Sequence, residues 1–203
     1  MPRDFVTDPQ QLHELEGQQY VVLRPTAAVM REFDAVQDAV RRHLGASVRY
    51  PGAGHVTLRG LQEPERRDEV RDVVREWAGR QLPVDIVFEA VDSFPAPWQI
   101  VVARLARTSS LLSSYSSLTA ALDAGDLRRI GELPLEDWVF RLSVAYAGSL
   151  SAEQWAEVAS RSRRRLTEPP LETISEVELV TYFDSTEHRE VFPLGSAGSI
   201  AAS

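Results

Sequence analysis

The sequence predicts an α+β fold. Segments 26–44, 64–79, 111–125 and 151–166 carry apolar residues at helical spacing, with shorter β-rich runs between them. Two of those runs, 84–91 and 98–105, follow one another with Pro95 and Pro97 separating them, which suits an antiparallel pair better than a parallel crossover. Each half of the chain also repeats one order, a helix, a short strand and a second helix, as an internal duplication would.

Taken in order, residues 1–17 are polar and read as a loosely held arm. Residues 20–24 read as a buried strand. Thr26 then caps a helix whose Met30, Phe33, Val36, Val40 and Leu44 share one face, with Gly45 as the residue just beyond it. A short strand spans 54–61. Pro64 suits the first turn of a helix that runs through Val70, Val73, Val74 and Trp77. In the second half, Leu111, Leu112, Tyr115, Leu118 and Leu122 predict a helix ending near Gly125. A strand follows over 138–146. Ser151 and Gln154 form a capping-box pattern that opens a helix reaching Leu166. Strands over 174–183 and 189–192 complete a single domain spanning 18–195, and the small polar residues 196–203 read as a flexible tail.

What the chain lacks narrows its chemistry. Among 203 residues there is no Cys and no Lys, so all 22 basic residues are Arg, set against 30 acidic ones for a net charge of −8. Thiolate nucleophiles, Cys-ligated zinc, Schiff bases and a phosphate-binding lysine are thereby excluded, as is a ligase that adenylates its own Lys. His and carboxylate acid–base chemistry, hydroxyls and the forked donors of Arg remain. The four His, at 13, 43, 55 and 188, are scattered, so neither a metal site nor a cofactor is expected. No run has membrane-span or signal-peptide character, which predicts a cytoplasmic protein. The acidic balance argues against long duplex nucleic acid, though not against a small phosphorylated nucleotide or an RNA end in an Arg-lined cleft.

Two short strands carry the chemistry. In His55-Val56-Thr57-Leu58, alternation puts His55, Thr57 and Arg59 on one face and apolar residues on the other. An imidazole, a hydroxyl and a guanidinium in a row suit a phosphate ester: the first moves a proton, the second donates to a non-bridging oxygen and the third balances charge. Arg141-Leu142-Ser143-Val144 repeats the pattern, with Arg141 and Ser143 on the polar face. Arg59 and Tyr146 are candidate substrate contacts, although Tyr146 shares parity with Leu142 and on strict alternation faces the wrong side. Either strand alone is better read as a half-buried amphipathic strand.

Together, in this order and spacing, the two motifs resemble those of the 2H phosphoesterase superfamily, which includes 2′-5′ RNA ligase-like proteins and cyclic phosphodiesterases. The resemblance rests on His55-Val56-Thr57-Leu58-Arg59-Gly60, on the opening strand Tyr20-Val21-Val22-Leu23-Arg24-Pro25, and on Phe140-Arg141-Leu142-Ser143-Val144-Ala145-Tyr146. It implies a bilobal, pseudo-twofold α+β fold, with two antiparallel sheets facing a central cleft and helices outside. It also implies ATP-independent, His-assisted phosphoryl transfer on 2′,3′-cyclic phosphates, 2′-5′ linkages or RNA ends, with His55, Thr57, Arg141 and Ser143 as the catalytic set. The family pattern has His where this chain has Arg141. Arg is a poor proton donor and no base near neutral pH, which leaves open a weak or inactive nucleotide-binding module of the same fold. His188 or His13 would replace the missing group only if its loop or arm reached the cleft.

Overall fold

A computed structural model describes residues 4–44, 48–131, 133–148 and 150–195, so Gly45 and the tail after Gly195 lie outside the described residues. The helices are α1 (Pro9–Glu14), α2 (Ala28–Leu44), α3 (Arg67–Arg80), α4 (Ser109–Ala124) and α5 (Ala152–Ser162). The strands are β1 (Gln18–Leu23), β2 (Val56–Gln62), β3 (Val84–Phe94), β4 (Ile100–Leu105), β5 (Arg129–Ile130), β6 (Arg141–Tyr146), β7 (Arg164–Arg165), β8 (Leu171–Ile174), β9 (Glu176–Phe183) and β10 (Thr186–Pro193). They build two sheets. One has the order β10-β9-β1-β2-β5; the other has the order β6-β4-β3-β7, with β8 also on β3. Every pairing is antiparallel, as the adjacent β-rich runs predicted.

The two motif strands hold equivalent places. β2 pairs with β1 and β6 pairs with β4, and each ladder slips by one residue at the same point. Opposite Val21 and Val22 the partners are Arg59 and Thr57, so Leu58 is the extra residue; opposite Val101 and Val102 they are Ala145 and Ser143, so Val144 is. Both bulges fall three residues after the first motif position. The duplication therefore extends from the order of elements to the detail of the ladder, and each bulge reverses the face of everything beyond it.

Helix α2 holds the two motif strands together. Val29, Phe33, Val36 and Val40 form its buried face, and the polar Gln37 lies buried among them. The Gln37 side-chain amide donates to the Val144 carbonyl at the β6 bulge (3.1 Å) and to the Pro51 carbonyl in the loop ahead of His55 (3.2 Å). That loop comes so near that a Cβ on Gly54 would stand 2.8 Å from Leu142 Cδ2 and 3.1 Å from Met30 Sδ, so any side chain there would have to displace them.

Several boundaries differ from expectation. The Thr26 amide and hydroxyl are held by the Glu172 carboxylate at 2.7 and 3.0 Å, and α2 begins at Ala28. Pro64 lies in a turn before α3, which starts at Arg67. The fourth amphipathic segment stops at Ser162, and Arg164 and Arg165 pair with β3 as a short strand. The capping box of Ser151 and Gln154 is present. The polar arm is not loose over its described part: it contains α1, and Phe5 and Val6 are buried at 6% and 8% exposure.

Gln37 yields a direct test. Gln37→Leu roughly keeps the volume and leaves the buried Val144 carbonyl and the part-buried Pro51 carbonyl without their donor, so folding stability should fall by about 1–3 kcal/mol, read from urea denaturation midpoints. Unchanged stability would mean that this bridge is not what holds the bulge.

Candidate active site

Both sheets contribute to a cleft of about 330 Å³ whose lining includes His55, Thr57, Arg141, Ser143 and Tyr146. The bulges decide this membership. On strict alternation Tyr146 would follow Leu142 into the core, but the extra residue at Val144 returns it to the cleft. The matching bulge at Leu58 turns Arg59 away, so the expected shared face of His55, Thr57 and Arg59 is corrected. Arg59 is only 4% exposed, stacks on the Tyr115 ring at 3.6 Å and donates to Thr119 Oγ1 and the Tyr115 hydroxyl on the far side of the strand. Gly60 reaches the cleft in its place, two residues past the bulge as Tyr146 is in the other lobe.

His55 is neutral at ordinary pH. Burial, then the charge of Arg24, and more weakly that of Arg141, lower its pKa from 6.5 to about 4, with a hydrogen bond to the Ala53 backbone pulling the other way. Phe5 contacts the imidazole, ring centroids 4.2 Å apart, and the Arg24 guanidinium lies 3.9 Å from the Phe5 ring centroid. Arg24 is itself fixed by a two-pronged ion pair with Glu178, at 2.7 and 2.9 Å, almost out of water.

Arg141 differs from Arg24 in having no carboxylate partner among the described residues. Its Nη1 donates to the Val139 carbonyl at 3.3 Å, its guanidinium lies 4.8 Å from the Phe94 ring centroid, and its Nε is buried without an acceptor. Burial lowers its pKa, and only the nearby Tyr146 works against that. Three tyrosines also line the cleft. Burial pushes Tyr20 up to about 12 and raises Tyr182 as well, where Glu187 adds to the effect, and neighbouring tyrosines contribute to both.

Sequence reasoning missed the arm. Phe5 and Val6 line the cleft, and their amides donate to the Glu187 carboxylate at 3.0–3.1 Å. An apolar pair inside an otherwise polar segment was the available signal. Trp138 also lines the cleft, while Trp98 is exposed and Trp155 is buried. Neither spare histidine joins the site: His13 is exposed on α1, and His188 stacks on Phe183 at 3.8 Å outside the lining. His43 bonds the Ala39 carbonyl at 2.9 Å on the last turn of α2. Among the described residues no three His, Asp or Glu form a metal-holding group, and no helix is long and apolar enough to cross a membrane.

Solved structures share this architecture. TT0787 of Thermus thermophilus superposes with a TM-score of 0.65 at 15% identity, over 88% of this chain and 98% of that one. LigT of E. coli, complexed with 3′-AMP, gives 0.54 at 14% identity over 88% and 98%. Usb1 of Kluyveromyces marxianus gives 0.53 at 9% identity over 89% and 100%. No curated protein sequence matches. The family model described as the 2′-5′ RNA ligase superfamily matches residues 25–185, which takes in both motif strands, and on that match the chain belongs to this superfamily of the 2H phosphoesterases.

Proposed function

We propose that the cleft takes the phosphate of a small nucleotide or RNA end, as a 2′,3′-cyclic phosphate or a 2′-5′ linkage, and hydrolyses or transfers it without ATP. The observation that carries the reading is Arg141: a half-buried cation without a carboxylate partner among the described residues, sharing one cleft with an uncharged imidazole and the hydroxyls of Thr57 and Ser143. A dianionic or monoanionic phosphate supplies the missing counter-charge. The similar LigT fold, complexed with 3′-AMP and with NADP+ in two of its structures, supports a nucleotide in such a cleft.

In this reading Thr57 and Ser143 donate to non-bridging oxygens, and Arg141 stabilises the charge that builds on them at the transition state. His55, already neutral, removes a proton from the attacking water or ribose hydroxyl. A second reading, binding without turnover, is favoured by one feature: Phe5 lies against His55 and must yield for a substrate to reach the ring.

Against a panel of 2′,3′-cyclic nucleotides and 2′-5′-linked dinucleotides, the wild type should turn over at least one member. His55→Ala should then lose about 10²–10⁴-fold in kcat, the usual worth of a proton-transfer group. Thermal stabilisation by nucleotides with no turnover would decide for the binding reading. Arg141→Ala should weaken phosphate-ligand affinity by about tenfold or more, as expected for the loss of a charge-assisted contact. Unchanged affinity would remove Arg141 from the site.

The pH dependence follows from His55. A base must be unprotonated, so the acid limb of kcat/KM should lie near pH 4, well below the ordinary imidazole value of 6.5. Phe5→Ala admits water to the ring and should move that limb upward. Linkage has the same direction. Between about pH 6.5 and 4 the unfolded chain holds a proton at His55 that the folded chain refuses, so this contribution to stability is complete above 6.5 and is lost as pH falls through 4. An acid limb at 6.5 in the wild type would rule out His55 as the buried base.

A further inference from the structure

Cleaving a ribose phosphodiester needs two proton movements: one leaves the nucleophile, the other reaches the departing oxygen. The cleft provides for the first at His55. An imidazole that stays neutral down to about pH 4 carries no proton to spare for the second. Neither Arg141 nor Arg24 releases one near neutral pH. The remaining acidic protons in the lining belong to the phenols Tyr20, Tyr146 and Tyr182.

Two of these are committed elsewhere. The Tyr20 hydroxyl bonds the Gln18 side chain, and that of Tyr182 donates to Glu187 Oε2 at 3.3 Å. Tyr146 is placed differently. It shares the cleft side of β6 with Arg141 and Ser143, returned there by the bulge at Val144. Its counterpart in the other lobe is Gly60, which has no side chain and leaves its place to the Tyr20 ring and Ile130, so of the three phenols Tyr146 is the one carried by a motif strand. Two cations attend it. Arg141 is near enough for the two groups to feel each other's charge. The Arg49 guanidinium lies 4.1 Å from the Tyr146 ring centroid, held by a pair of backbone hydrogen bonds between the same residues at 2.8 and 3.0 Å. Both guanidinium groups are placed to balance the phenolate that forms when the proton is given away.

We propose that Tyr146 is the catalytic acid of this cleft, giving its phenolic proton to the ribose oxygen that leaves phosphorus. The inference rests on the phosphoesterase reading above. In the hydrolytic step His55 takes a proton from water as the new O–P bond forms, the P–O bond to the ribose breaks, and the Tyr146 proton passes to that oxygen. The imidazolium and phenolate left behind exchange a proton through the water in the cleft, so the net change is addition of one water. A guanidinium at position 141 then acts as a counter-ion for both the phosphate and the phenolate.

The test separates proton donation from packing. Tyr146→Phe keeps the ring, and its thermal unfolding should match the wild type. On uridine 2′,3′-cyclic phosphate, whose ribose oxygen needs a proton to leave, kcat should fall about 10²–10⁴-fold with KM little changed. On thymidine 5′-(4-nitrophenyl) phosphate, whose nitrophenolate leaves without a proton, the loss should stay within about threefold. Equal losses on both substrates, or no loss on the cyclic phosphate, would overturn the assignment and leave the phosphoesterase reading standing. A wild type that turns over neither the cyclic nucleotides nor the 2′-5′-linked dinucleotides would overturn that reading and this assignment with it.

Discussion

One side-chain amide ties the two lobes at the point where their chemistry meets. Gln37 donates to the bulged Val144 carbonyl on one motif strand and to the Pro51 carbonyl in the loop leading to the other. A bulge carries a local penalty because its extra residue drops out of the ladder and its backbone groups need other partners. Gln37 meets that need from within a helix face that is otherwise apolar, and in doing so fixes which residues beyond the bulge face the cleft. The choice is all-or-none, since one residue of slip moves every later side chain to the opposite face. Tyr146 in the cleft and Ala145 in the core are one outcome; their exchange is the other.

The same parity change acts on both lobes with different results, because the residues beyond the bulges differ. In the first lobe Arg59 goes behind the sheet and finds Tyr115 and Thr119, while Gly60 leaves its place to the Tyr20 ring and Ile130. In the second, Ala145 fills the core and Tyr146 occupies the cleft. A duplicated backbone thus presents an unlike pair of surfaces: an imidazole packed against Phe5 and a bare glycine on one side, a guanidinium and a phenol on the other. Unlike surfaces suit a reaction whose two proton transfers run in opposite directions.

Much of the fold was legible because its signals are local. Helical periodicity in α2 and α4, the capping box of α5, and the alternation in both motif strands each lie within a few residues. Leu58 and Val144 left no such mark. Each is an apolar residue where alternation asks for one, and only the partner strand reveals that it is supernumerary. That is why Arg59 and Tyr146 changed sides. The two-residue strands β5 and β7 carry too little pattern to detect, and β7 was absorbed into a run of arginines that reads equally well as a helix end. Gln37 was detectable in principle, as a polar residue on the buried stripe of α2, but the carbonyls it serves are distant in sequence.

The absence of lysine bears on how the protein holds charge in and around this cleft. Arg24, Arg49, Arg59 and Arg141 each lie against an aromatic ring, at 3.9, 4.1, 3.6 and 4.8 Å from its centroid. A flat, weakly hydrated guanidinium stacks this way and keeps its edge donors free, whereas a compact ammonium loses more hydration on burial and readily loses its proton there. The cost of holding several cations near one imidazole is visible in His55, whose pKa Arg24 and Arg141 help to lower. That cost has a use. Together with burial, the larger cause, it keeps His55 in its basic form down to about pH 4, and on the proposed mechanism a different group then carries the proton in the other direction. On the proposal that Tyr146 is the acid, a cleft with arginine at position 141 is not simply one histidine short: burial and Arg24 keep the imidazole uncharged, Arg141 adds a smaller push, and its guanidinium is the counter-ion for the phenolate.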